Sequence, residues 1–266
     1  MEIDPKNYYR MPLIMGPQWV GEPPTFHYSQ TEVVALQYIT DAHAISAMLP
    51  ACYQLGKEPQ VTVLFGYNNG LDYMAGGGYI LAAVQVSVRF DGEKDHVEGD
   101  YILVMFENQA WPMICGREDL GIPKLYADIS PIKIYTDGSL RCEATYWGHL
   151  LFSLELSPPR KQNRIVKYAA NKIINSRPWL GYKYIPSLDG PPDAEYPTVS
   201  YNDTNIDNLW FAKTGKIQFG NASSNEIGQV EMLINALKTL PILEVKQALH
   251  FRGSATLRYD LSRRLE

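Results

Sequence analysis

Long runs of β-branched and aromatic residues, punctuated by Asp-Gly pairs, constrain this chain more than any other feature. Asp91-Gly92 and Asp137-Gly138 each stand between such runs. Asp-Gly supplies the positive φ angles of a tight hairpin, so the flanking runs pair antiparallel. Strands are expected over 60–67, 79–90, 101–107, 124–136, 139–147, 151–156, 242–251 and 254–261. Several, such as YILAAVQVSVRF from Tyr79, are apolar on both faces. A sheet with one wet face alternates polar and apolar residues, so these strands require burial on both sides, as in stacked sheets or a closed barrel.

Helical signals are fewer. The segment 41–49 opens on Asp41 as N-cap and stops at Pro50; 164–175 has helical apolar spacing and stops before Arg177-Pro178. The segment 225–240 repeats Ile227, Val230, Leu233, Ile234 and Leu237 and ends at Pro241. Together these predict an α+β, mainly antiparallel β chain. No linker or repeat divides it, so a single domain over 1–266 is expected, with its loosest stretch at 188–196.

Composition narrows the function. With 24 basic against 29 acidic residues, the net charge of −5 gives no broad basic field for nucleic acid. No apolar run is long enough to span a membrane, and the first residues, MEIDPKNYYRMPL, lack the apolar stretch of a secretory leader. A cytoplasmic protein binding neither nucleic acid nor membrane is expected. Cys52, Cys115 and Cys142 have no paired spacing, and the five histidines show no metal-ligand spacing. Phosphate-binding loops, dinucleotide fingerprints and nucleophile elbows are absent.

The segment WPMICGREDLGIPKLYAD, from Trp111 to Asp128, stands apart. Lys124 follows a short Gly/Pro turn and is surrounded by Ile122, Pro123, Leu125 and Tyr126. On its own it reads as a solvated turn lysine. Apolar burial, however, disfavours an ammonium and frees the neutral amine to attack a ketone as a Schiff-base nucleophile.

At this segment the chain resembles the acetoacetate decarboxylase superfamily, which carries Gly-Arg-Glu, a short spacer and Tyr-Pro-Lys with the imine-forming lysine. The matching residues are Gly116-Arg117-Glu118, the spacer 119–121 and Ile122-Pro123-Lys124. Partial matches continue from about Glu32 to Leu261, including Gly99-Asp100-Tyr101, Tyr184-Ile185-Pro186 and Tyr259-Asp260. The resemblance implies a double β-barrel with a few peripheral helices, a homo-oligomer, no metal or organic cofactor, and a small-molecule keto acid substrate. It places the reactive amine on Lys124.

The sequence departs from the family pattern at three positions. The second lysine of the decarboxylating members is Leu125, the early-strand arginine falls on Thr31, and the cavity glutamate falls near Leu81. The expected reaction is therefore carbon–carbon cleavage of a β-keto acid larger or more apolar than acetoacetate. Condensation of pyruvate with an aldehyde followed by loss of water is the alternative, and a non-catalytic barrel holding an apolar ligand is the rival class. Glu118 and Tyr259 are the candidate acid/base groups beside Lys124. Arg117 is the candidate carboxylate partner, with a purely structural Arg117–Glu118 ion pair equally open. Tyr79, Glu107 and Gln109 are candidate substrate contacts on the neighbouring strands.

Overall fold

The computed structural model describes residues 3–266. It is built on strands that are mostly antiparallel, several of them long: β1 (Thr25–Ile39), β2 (Gln60–Leu71), β3 (Tyr79–Asp91), β4 (His96–Glu107), β5 (Lys124–Tyr126), β6 (Leu140–Tyr146), β7 (His149–Leu156), β8 (Trp179–Ile185), β9 (Ala194–Ala212), β10 (Gly215–Phe219) and β11 (Glu244–Arg264). Five short helices lie between them: α1 (Ala42–Ser46), α2 (Ala110–Glu118), α3 (Arg164–Asn175), α4 (Ser224–Ile227) and α5 (Val230–Lys238).

The larger sheet runs β3-β2-β1-β11-β9-β8-β4, and β4 pairs back onto β3. This makes a ring, sealed on one side only by the short parallel contact of Trp179 and Leu180 with Asp100 and Tyr101. β5 adds to the edge of β4 in parallel, with Lys124 opposite Met105. The smaller sheet, centred on β6, β7 and β10, covers one outer flank of the ring.

Alternation along the strands explains the two-sided apolar pattern. In β2, Val61, Val63 and Phe65 face outward and pack with Phe106 of β4 and Phe152 of β7 in the main core. Thr62, Leu64, Gly66 and Asn68 face inward and line an internal lumen of about 610 Å³. Cross-strand register stacks the inner residues of β1, β2 and β3 in tiers: Thr31–Asn68–Tyr79, Val33–Gly66–Leu81, Ala35–Leu64–Ala83 and Gln37–Thr62–Gln85.

The expected hairpins and helix caps are in place. β3 and β4 pair antiparallel across the loop 92–95, where Gly92 does not take the positive φ that Gly138 takes at +84°, and Asp41 accepts a hydrogen bond from the Ala44 amide at 2.7 Å. Four expectations change. The run 124–136 breaks into short pieces around Pro131, which has no amide to donate to a ladder. The two expected terminal strands are the single 21-residue β11, carried past Arg252-Gly253 by a bulge. The helix expected over 225–240 divides into α4 and α5 at Gly228, whose φ of +61° a helix does not accommodate. Finally, α2 forms over Ala110–Glu118, outside the three segments expected to be helical.

Candidate active site in the barrel lumen

Strand β5 begins at Lys124 and sends successive side chains to opposite faces. Leu125 packs into the outer core, whereas Lys124 turns into the lumen and is 6% exposed. Its amine donates to Glu107 Oε1 at 2.7 Å and to the carbonyl of Pro112 at 3.1 Å. The Tyr79 ring lies 6.0 Å away, within cation–π range.

Helix α2 forms the wall behind the amine, and the Gly-Arg-Glu motif at its end explains the fit. A Cβ on Gly116 would fall onto Lys124 Cε and Nζ, closer than the 3.0 Å that real Cβ contacts respect, so a larger residue here would push the lysine end out of its present position. The Arg117 guanidinium donates to the Lys124 carbonyl at 2.9 Å, tying the helix end to the strand. Gly121 then turns the chain with a φ of +69°, against the backbone of Lys183, so that Ile122 and Lys124 face inward.

Glu107 is 0% exposed, and its Oε2 has no hydrogen-bond partner among the described residues. Burial pushes its carboxyl above the usual carboxylate range, opposed by the attraction and hydrogen bond of Lys124. Burial also pushes the Tyr79 and Tyr259 phenols well above their ordinary value, so both remain protonated donors, and it raises the Cys115 thiol to about 11, away from thiolate chemistry.

At one end of the lumen a buried ion pair joins Arg10 to Asp119. Asp119 also accepts from Tyr8 Oη at 2.6 Å and Tyr259 Oη at 3.2 Å. The Arg10 guanidinium lies 5.3 Å from the Trp19 ring, which stacks on Tyr8. Arg10 lines the lumen and keeps donors beyond those used by Asp119. This cation comes from outside the segment singled out in the sequence. It stands in the N-terminal stretch, where no motif or spacing marks an arginine as internal.

The candidates from the sequence separate accordingly. Lys124, Tyr79 and Tyr259 line the lumen, and Glu107 sits behind the lysine. Arg117 and Glu118 are not on the lumen wall, and Arg117 serves the Lys124 backbone. Gln109 is exposed and precedes α2. Thr31 and Leu81 both line the lumen, with Thr31 Oγ1 donating to Asn68 Oδ1 at 2.8 Å. No group of three or more His, Cys, Asp or Glu residues suited to a metal occurs among the described residues. Nor is any helix among them long and apolar enough to cross a membrane.

Fold and site together define a β-barrel protein with one lysine set into the wall of a lumen sized for a small molecule. The chain belongs to the acetoacetate decarboxylase family: the model described as Acetoacetate decarboxylase (ADC) matches residues 10–263. Among curated relatives, Acetoacetate decarboxylase of Chromobacterium violaceum is 28% identical over 246 residues, covering 88% of this chain and 87% of its own. Acetoacetate decarboxylase of Clostridium botulinum is 25% identical, covering 92% and 90%. The acetoacetate decarboxylase structure from Legionella pneumophila aligns with a TM-score of 0.76 at 22% identity, covering 97% of this chain and 93% of that one. The enduracididine biosynthesis enzyme MppR, complexed with the condensation product of pyruvate and imidazole 4-carboxaldehyde, shares the fold with a TM-score of 0.71 at 18% identity, covering 96% and 95%.

Proposed function

We propose that the protein is a carbon–carbon lyase that forms an imine between Lys124 and a keto acid, and that it decarboxylates a β-keto acid larger than acetoacetate. The observation carrying this reading is the Lys124 amine in the lumen wall, hydrogen-bonded at 2.7 Å to the fully buried Glu107. At hydrogen-bond distance, Glu107 is the group placed to accept the proton that the Lys124 ammonium must lose before the amine can act as nucleophile. The amine adds to the ketone carbon, and loss of water gives the protonated imine. The electron pair of the bond to the carboxylate then moves into the imine, releasing carbon dioxide and leaving an enamine. Protonation of the enamine carbon and hydrolysis return the ketone and Lys124. Arg10 is the cation available to orient the substrate carboxylate.

The apolar middle of the lumen and the family departures at Thr31, Leu81 and Leu125 favour a larger substrate over acetoacetate. A volume of about 610 Å³ lies within the ~300–1,000 Å³ typical of pockets for drug-sized ligands. A second reading uses the same enamine to attack an aldehyde, since the fold also occurs in the enzyme complexed with the pyruvate condensation product. Tyr259, a phenol at the lumen wall, is its candidate acid for loss of water. Both readings include a homo-oligomer, to which the exposed Ile165 and Tyr168 of α3 offer an apolar face.

The test is oxygen exchange. Imine formation replaces the ketone oxygen with oxygen from solvent, so incubation in H₂¹⁸O labels recovered ketone. Labelling lost in Lys124→Ala supports the reading; labelling at an undiminished rate in that variant contradicts it. Carbon dioxide release from long 3-oxo acids, measured beside condensation of pyruvate with an aldehyde, separates the two reactions.

A further inference from the structure

Beyond the lysine, the lumen has an uneven chemistry along its length. The tiers Val33–Gly66–Leu81 and Ala35–Leu64–Ala83 are apolar. The next tier, Gln37–Thr62–Gln85, places two amides and a hydroxyl side by side on three adjacent strands. Gln85 is 7% exposed, and its Oε1 has no hydrogen-bond partner among the described residues. Side chains that only fill a barrel interior are normally apolar, and a buried amide without a partner destabilises the empty protein. One tier further, Asp100 lines the lumen opposite Ser87, held by Arg177 at 2.8 Å. Their charges offset each other, so this end presents hydrogen-bonding groups and no strong net field.

We propose that the Gln37–Thr62–Gln85 tier is a specificity site for the far end of the substrate: a neutral hydrogen-bonding group, a hydroxyl above all, at the end of an apolar chain. The inference rests on the imine reading of Lys124 and names the substrate class of that same lumen. The spacing sets the length. Each tier is two residues along a strand, or ~7 Å, and one to two tiers separate the lysine from the amides, so roughly six to ten chain atoms span the gap. A hydroxyl can donate to an amide oxygen and accept from an amide nitrogen, and rotation of the Gln85 amide offers either atom. An apolar chain end would leave that amide unsatisfied, and a carboxylate would find no uncompensated cation there, because Arg177, which also lines the lumen, is already paired with Asp100.

The experiment uses pairs of methyl ketones, the products that decarboxylation of 3-oxo acids leaves, identical except for a terminal hydroxyl or a terminal methyl. Borohydride reduction and peptide mass spectrometry give the concentration at which Lys124 is half-modified, across chains of six to ten atoms. At the best length the hydroxyl member is expected to trap at about three- to tenfold lower concentration, as one net hydrogen bond supplies. That preference should fall to about one in Gln85→Leu and shrink in Thr62→Val, with both variants checked for cooperative unfolding. Equal or better trapping of the methyl member, or a preference unchanged in both variants, overturns the proposal. Calorimetric binding of the same pairs separates the two claims. A hydroxyl preference without any adduct upholds the polar tier and overturns the imine; neither preference nor adduct overturns both.

Discussion

In the proposed mechanism the proton economy of the site turns on Glu107. Its carboxyl is raised by burial, so between the ordinary carboxylate range and that raised value the folded protein holds a proton that the unfolded chain releases. Folding stability is therefore expected to fall as pH rises through that window, and Glu107→Gln should flatten the slope, read by urea unfolding at a series of pH values. The same variant removes the proton acceptor beside Lys124, and kcat is expected to drop by about 100-fold or more. A Glu107→Gln enzyme with wild-type kcat would assign the carboxylate to packing alone. Glu118 behaves differently on this account. It lies away from the lumen wall, so Glu118→Gln is expected to keep kcat within about twofold, as surface substitutions do. The sequence identified Lys124 through the resemblance at Gly116-Arg117-Glu118 and Ile122-Pro123-Lys124, a local pattern, whereas its apolar neighbours alone did not separate it from a solvated turn lysine. It could rank neither Glu107 above Glu118 nor Arg10 at all, because which carboxylate meets the amine depends on the β3–β4–β5 register and on α2, contacts distant in sequence.

Among the elements, α2 shapes the site most directly. Gly116 in its last turn leaves the volume that the lysine fills, so Gly116→Ala is expected to displace the amine from Glu107 and reduce imine formation. A crystal structure of that variant with the Lys124–Glu107 hydrogen bond intact would contradict this. The elements that were legible in the sequence were those with strong local patterning: the β-branched and aromatic runs, the Asp41-capped helix and α3, whose observed bounds match the expected 164–175. Strand β9 was not legible, because it carries Asn202, Asp203, Asn205, Asp207 and Asn208, residues that favour turns. It is a strand because β8 and β11 flank it and satisfy its backbone along most of its length. Helix α2 lacked a visible start, since Gln109 makes no side-chain cap.

At the scale of the whole molecule, the ring and the smaller sheet depend on one shared core. Phe152 of β7 is fully buried against Phe65 and Phe106 of the ring, and Phe152→Ala is expected to cost about 3–5 kcal/mol, read by thermal or chemical unfolding. A loss below about 1 kcal/mol would mean that the smaller sheet is not an integral wall of the barrel. The two-sided apolar strands had required this enclosure, but the lumen's polar inner tier could be seen only once register placed Gln37, Thr62 and Gln85 together. The account as a whole depends on covalent chemistry at one amine. The direct measurement is reduction with borohydride in the presence of a long-chain methyl ketone, followed by peptide mass spectrometry. The account predicts one reduced adduct on the peptide carrying Lys124, abolished in Lys124→Ala and in Lys124→Arg, because a guanidinium stays protonated and cannot attack the carbonyl. An adduct on another lysine that persists in Lys124→Ala, or no adduct with any ketone at saturating concentration, would contradict it.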